Sequence, residues 1–162
     1  MSVYIYIYDF SIVSIVYDSG VLHIGINALE VLYIFLVSVP AVIGIANIML
    51  ANNICDIEDD IENRRYTLPV YIGREKALKL FKMLYYLAYI DMLLLVFLKV
   101  VPAVYLLVLL TLSPVAKNIK LFYEKQTKKD TFVLSVKNFV LINAAQTVMI
   151  GVGCIVKYLT AI

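Results

Sequence analysis

Polar and hydrophobic positions in this chain separate on the scale of whole membrane crossings rather than of helix faces. From Val31 to Cys55 run 25 residues without a charge. At about 1.5 Å per helical residue this run is long enough to cross a hydrocarbon core of roughly 30 Å with some tilt. Pro40 and Gly44 are expected to bend the helix, and neighbouring helices cover the backbone groups so freed. A second span is predicted over about Leu80–Leu98, interrupted by Asp91, and a third over about Val101–Ala116. The pair Val101-Pro102 marks the tight turn between them, with Pro102 suited to a helix start. A fourth covers Asn138–Val156, 19 uncharged residues ending at Lys157.

The first thirty residues fit this pattern poorly. Asp9, Asp18 and Glu30 divide them into pieces too short to span, and Val3–Tyr8 is tyrosine-rich and apolar on both faces. The expectation is an extracytoplasmic loop with the remnant of a preceding helix over 1–30, then a helical domain over 31–162. The opening residues Met1–Asp9 lack the basic segment and small-residue cleavage site of a signal peptide. The expected fold is all-α, a polytopic transmembrane helix bundle of about four spans.

Composition agrees. Hydrophobic residues make up 63% of the 162 residues and mean hydropathy is +0.91, against nearer half apolar in soluble domains. A net charge of +2 does not suggest nucleic acid. Six of the 14 basic residues lie between Arg64 and Lys82, and six more between Lys117 and Lys137. Two spans separate these clusters, so the positive-inside rule places both in the cytoplasm of a cell-membrane protein. Cys55 and Cys154 then fall at opposite faces, which leaves no disulfide framework. Asp91, an ionisable residue inside a span, is a functional candidate by default, with interhelical hydrogen bonding or an outer water pocket as its expected role. Asn138, Asn143 and Gln146 could bond between helices, and Lys137 is expected to snorkel to the interface.

Chemistry concentrates where the first span ends. Asn52-Asn53-Ile54-Cys55-Asp56-Ile57-Glu58-Asp59-Asp60 is followed by Arg64 and Arg65. Acidic groups crowded at a membrane surface repel one another unless a cation holds them together. On a continuing helix Asn52, Asp56 and Asp60 stack at i, i+4 and i+8. Mg²⁺ takes one or two carboxylates and completes its shell with water and substrate phosphate. Arg64, Arg65 and Arg74 could then grip phosphate oxygens. An EF-hand starting at Asp56 would need glycine at Ile61 and glutamate at Thr67, and His23 is the only histidine. A solvated acidic loop paired with nearby arginines is the plainer alternative.

The motif Asn52-Asn53-x-x-Asp56-x-x-x-Asp60, with Arg65-Tyr66-Thr67-Leu68 and Ile72-Gly73-Arg74, resembles the second aspartate-rich motif of the UbiA superfamily of intramembrane prenyltransferases. Ala51–Asp56 followed by Arg65–Leu68 is most similar to its 1,4-dihydroxy-2-naphthoate polyprenyltransferase branch, which serves menaquinone biosynthesis. The resemblance is specific around residues 47–78 and extends diffusely from about Leu32 to the C-terminus. It implies Asp56 and Asp60 as Mg²⁺ ligands, Asn52 and Asn53 as supporting oxygens, and Arg65, Arg74 and Arg64 as diphosphate contacts. It also implies a polyprenyl diphosphate and an aromatic acceptor as substrates, and a correspondence with the last four of nine helices. The superfamily's first aspartate motif has no counterpart in residues 1–30. The chain is therefore expected to be a C-terminal half, inactive alone and active with a separate N-terminal half. The competing expectation is a non-catalytic remnant or scaffold subunit.

Overall fold

The computed structural model describes residues 2–7, 10–18 and 21–160. They form two compact units, one up to Ser38 and one from Val39 onward.

In the first unit, strands β1 (Ser2–Ile7), β2 (Phe10–Asp18) and β3 (Val21–Ile26) make an antiparallel sheet in the order β1-β2-β3. Val3 faces Ile15 across the first pair and Val16 faces His23 across the second. Valine, isoleucine and tyrosine dominate these segments, and β-branched and aromatic side chains suit a pleated surface. The helix remnant expected within residues 1–30 is therefore replaced by strands. Tyr8 and Asp9, which belong to the expected N-terminal loop, lie outside the described residues. Asn27 caps the helix that follows, its Oδ1 accepting from the Leu29 and Glu30 amides.

That helix, α1 (Ala28–Cys55), runs through Pro40 into the second unit. Two short helices follow, α2 (Ile57–Glu62) and α3 (Leu68–Ile72), then α4 (Arg74–Phe97). A 3₁₀ segment, Ala103–Thr111, continues into α5 (Leu112–Glu124), and α6 (Phe132–Thr160) closes the chain. Four helical stretches are long and apolar enough to cross a membrane: Ala28–Cys55, Arg74–Phe97, Ala103–Glu124 and Phe132–Leu159. The expected four-span helical bundle is thus present.

The observed helices are longer than the uncharged runs that announced them. Arg74, Glu75, Lys76 and Lys79 occupy the first turns of α4, and Lys117 and Lys120 lie within α5. Uncharged runs mark only the part of a helix that lies in hydrocarbon, whereas charged turns continue the helix into the interface.

The core of the second unit is built by Phe81, Tyr85, Met92 and Leu95 of α4 with Tyr105, Val108, Val115 and Phe122 of the next span. Phe81 packs edge-on against Tyr85 and at 4.8 Å between centroids against Phe122. Polar bonds tie the helices where water is absent. Tyr89 and Thr111 share a 2.7 Å hydroxyl contact, Asn118 donates to Asn138 at 2.7 Å, and Tyr123 donates to the Leu78 carbonyl. Asn138 thus bonds between helices as expected. Asn143 instead donates to Phe139 one turn earlier in its own helix. Asp91 is buried, and its Oδ2 has no hydrogen-bond partner among the described residues.

Two glycines are dictated by close approach. A Cβ on Gly44 would lie 2.6 Å from the Phe139 ring, and one on Gly153 would collide with Pro102. Because consecutive spans alternate in direction, the end of α1, the start of α4, the end of α5 and the start of α6 share one face of the bundle. The candidate site lies there.

Candidate functional site

The site begins at a break in the helix. Asp56 leaves helical geometry with φ −101° and ψ 7°, separating α1 from α2. The hydrogen-bond ladder nevertheless bridges it, with the Asp56 amide donating to the Asn52 carbonyl at 3.1 Å and the Asp60 amide to the Asp56 carbonyl at 2.7 Å. The expected i, i+4, i+8 succession therefore survives the break. Asn52 Nδ2 donates to Asp56 Oδ2 at 3.3 Å. Asn53 is half-buried and makes no side-chain hydrogen bond among the described residues.

Asp60 is the buried carboxylate, only 5% exposed. Thr67 donates its hydroxyl to Asp60 Oδ2 at 3.0 Å. Thr67 stands at the N-cap of α3 but makes no cap bond with its side chain, because the hydroxyl is turned to Asp60. The threonine of the Arg65–Leu68 motif thus orients an acid, a role that motif matching alone did not assign.

Between Asp60 and Thr67 the chain turns through a Schellman motif. The Arg64 amide donates to Ile61 and the Arg65 amide to Asp60, with Arg64 left-handed at φ 54°. Glycine usually fills that position because a Cβ is strained there. Arg64 and Arg65 are exposed, and their guanidinium groups form no ion pair among the described residues. Both are therefore available to an anion.

Arg74 is placed differently. Its Nη2 grips both oxygens of Glu58, at 2.5 and 2.7 Å. Gly73, at φ 83°, makes the turn that sets Arg74 at the start of α4.

A further cation, Lys128, reaches the site from the loop between α5 and α6. Its Nζ lies 2.6 Å from Asp56 Oδ2. The hydrogen bond to Asp56 raises the lysine above its ordinary value, so the ammonium stays charged. That loop is well tied: Lys125 pairs with Asp130 at 2.5 Å, and the Thr127 amide donates to Thr131 Oγ1 at 3.0 Å. Gln126 donates to the last carbonyls of α5, those of Phe122 and Tyr123. Position along the sequence hides Lys128; only its membership of the second basic cluster hinted at it.

The donor set suits a hard ion. Asp56, Asp60, Asn52 and Asn53 offer oxygen, two of them carboxylates, which is what Mg²⁺ takes when substrate phosphate and water complete its shell. Among the described residues no three acidic, cysteine or histidine side chains converge as a ready-made metal cage.

The family model for the UbiA prenyltransferase family matches residues 12–143, starting ahead of Leu32 and covering most of the chain. No curated protein and no solved structure matches.

Proposed function

The chain belongs to the UbiA prenyltransferase family, and from that premise we propose that it binds a polyprenyl diphosphate at the Asn52–Arg74 segment for transfer to an aromatic ring. Family membership makes it a multi-pass membrane protein of the prenyl-transferring class. The carrying observation is the buried Asp60 held by Thr67, one helical turn from Asp56, whose carboxylate pairs with Lys128.

In this reading Asp56 and Asp60 hold Mg²⁺, with Asn52 and Asn53 in support. Mg²⁺ supplies fixed positive charge where diphosphate charge grows. Arg65 and Arg64 bind phosphate oxygens directly. Arg74 joins them by exchanging Glu58 for phosphate, and the exposure of that pair makes the exchange inexpensive. Lys128 moves from Asp56 to the incoming anion. As the allylic C–O bond breaks, its electron pair leaves with the diphosphate, and these cations stabilise the leaving group. The electron-rich ring of the acceptor captures the allylic cation, and the attacked ring carbon then gives up the group it carried, a proton or a carboxylate as CO₂, which restores aromaticity. Apolar helix walls keep water from reaching it first.

We further infer that the acceptor is 1,4-dihydroxy-2-naphthoate, that the product serves menaquinone biosynthesis, and that the acidic segment faces the cytoplasm. Similarity of Ala51–Asp56 and Arg65–Leu68 to that branch supports the acceptor, and the two basic clusters support the orientation. The four spans correspond to the last four helices of the family fold. A separate N-terminal half carries the other aspartate motif and completes the site.

The test is a transfer assay in liposomes with the chain alone and with an N-terminal half supplied. Product from 1,4-dihydroxy-2-naphthoate, only with both halves and Mg²⁺, is expected. Product from 4-hydroxybenzoate instead would overturn the acceptor. No product from any acceptor would favour a scaffold role.

A further inference from the structure

Away from the acidic segment, a groove of about 440 Å³ opens on the outside of α4 against α5. It is graded along its length. Inward along α4 from the membrane surface stand Lys79, Lys82, Met83, Tyr86, Leu87 and Ile90, and Tyr123 of α5 faces the lysine end from the other wall. The α4 members recur at intervals of three and four, so they form one stripe of that helix. The opposite stripe, with Phe81, Tyr85 and Met92, is the buried one. From Lys79 to Ile90 the stripe rises about 16 Å at helical pitch, close to half of a hydrocarbon core of roughly 30 Å.

Each end of the groove is shaped for a different part of one molecule. Lys82 has no carboxylate partner among the described residues, and its ammonium lies 5.8 Å from the centre of the Tyr86 ring. Lys79 pairs with Glu75 at 2.6 Å, with both side chains well exposed. Surface pairs of that kind contribute little, so a phosphate can compete for the lysine. Tyr123 is held in the wall by its bond to the Leu78 carbonyl. Met83, Leu87 and Ile90 are exposed large apolar side chains. Basic pockets beside membrane helices at the headgroup level are suited to anionic lipid heads.

We propose that this groove holds one anionic phospholipid, its phosphate on Lys82 and Lys79 and an acyl chain along Met83, Leu87 and Ile90. A free phosphate would use only the lysines and leave the apolar strip unmatched. A zwitterionic lipid would match the strip but gain less from the paired ammonium groups. The site is separate from the diphosphate segment and does not depend on the reaction assigned to it.

The experiment uses the full chain in nanodiscs of phosphatidylcholine with a minor fraction of phosphatidylglycerol. Native mass spectrometry counts the lipids retained. Selective retention of phosphatidylglycerol is expected. Lys82→Gln and Lys79→Gln should each weaken it about five-fold, the ~1 kcal/mol of a basic side chain at an anionic surface. Lys82→Arg should keep it. Lys120→Gln with Lys129→Gln, on the same face but outside the groove, should not change it. Far-UV circular dichroism confirms that each variant is folded. Equal loss in that control pair would overturn the groove in favour of diffuse charge. Displacement by inorganic phosphate would reassign the lysines to a soluble anion. Unchanged retention in Lys82→Gln/Lys79→Gln would overturn the proposal outright.

Discussion

At the scale of single residues, Asp60 and Thr67 carry the most specific expectation. Thr67→Val removes the only side-chain donor that a nearly buried carboxylate has among the described residues and should destabilise the chain by about 1–3 kcal/mol. Thr67→Ser should restore both stability and diphosphate affinity; thermal denaturation in detergent and a binding isotherm read the two. Arg64 separates backbone from charge. Arg64→Gly relieves a left-handed non-glycine residue and should stabilise the turn by about 0.5–1 kcal/mol. It should at the same time weaken diphosphate binding several-fold. A variant that gained stability without losing affinity would remove Arg64 from the site. The spacing of Asn52, Asp56 and Asp60 was legible because four-residue intervals survive a local break in the helix. Lys128 was not, since nothing in sequence spacing tells which lysine of a distant loop folds back onto Asp56.

At the scale of elements, helix cores were legible and helix ends were not. Uncharged length reports hydrocarbon thickness, and the charged turns of α4 and α5 lie beyond it. The sheet of the first unit escaped the reading because its apolar residues follow no clean alternation. Their β-branched and tyrosine content was the usable signal. Gly44 gives a packing test. Gly44→Val drives a side chain into the Phe139 ring and should cost about 1–3 kcal/mol. Adding Phe139→Ala should recover part of that loss in a double-mutant cycle. The α5–α6 loop gives a pH test. The Lys125 hydrogen bond holds the Asp130 carboxyl below its ordinary 3.8. A depressed carboxyl contributes stability above its unfolded value and loses it as pH falls through the folded one. Loop protection in hydrogen exchange, corrected for intrinsic rate, should therefore persist from neutral pH down to about pH 4 and fall below 3.8. For Lys128 the sign reverses. On the lysine's side its pairing with Asp56 is lost as pH rises beyond the ordinary 10.5.

At the scale of the whole molecule, four spans and two basic clusters put the acidic segment, its arginines and the Lys128 loop at one membrane face. The described residues supply two carboxylates and several cations, but no closed metal cage. In the proposed function this chain supplies one jaw of a diphosphate clamp, and the family's other aspartate motif supplies the facing one. The most direct measurement is isothermal titration of a short prenyl diphosphate into the two halves co-reconstituted in nanodiscs, with Mg²⁺ and with EDTA. The account predicts binding that requires Mg²⁺ and falls at least about a hundred-fold, or 2.7 kcal/mol, in Asp56→Asn/Asp60→Asn with helicity unchanged. Binding of equal strength in the double variant, or in EDTA, would contradict it.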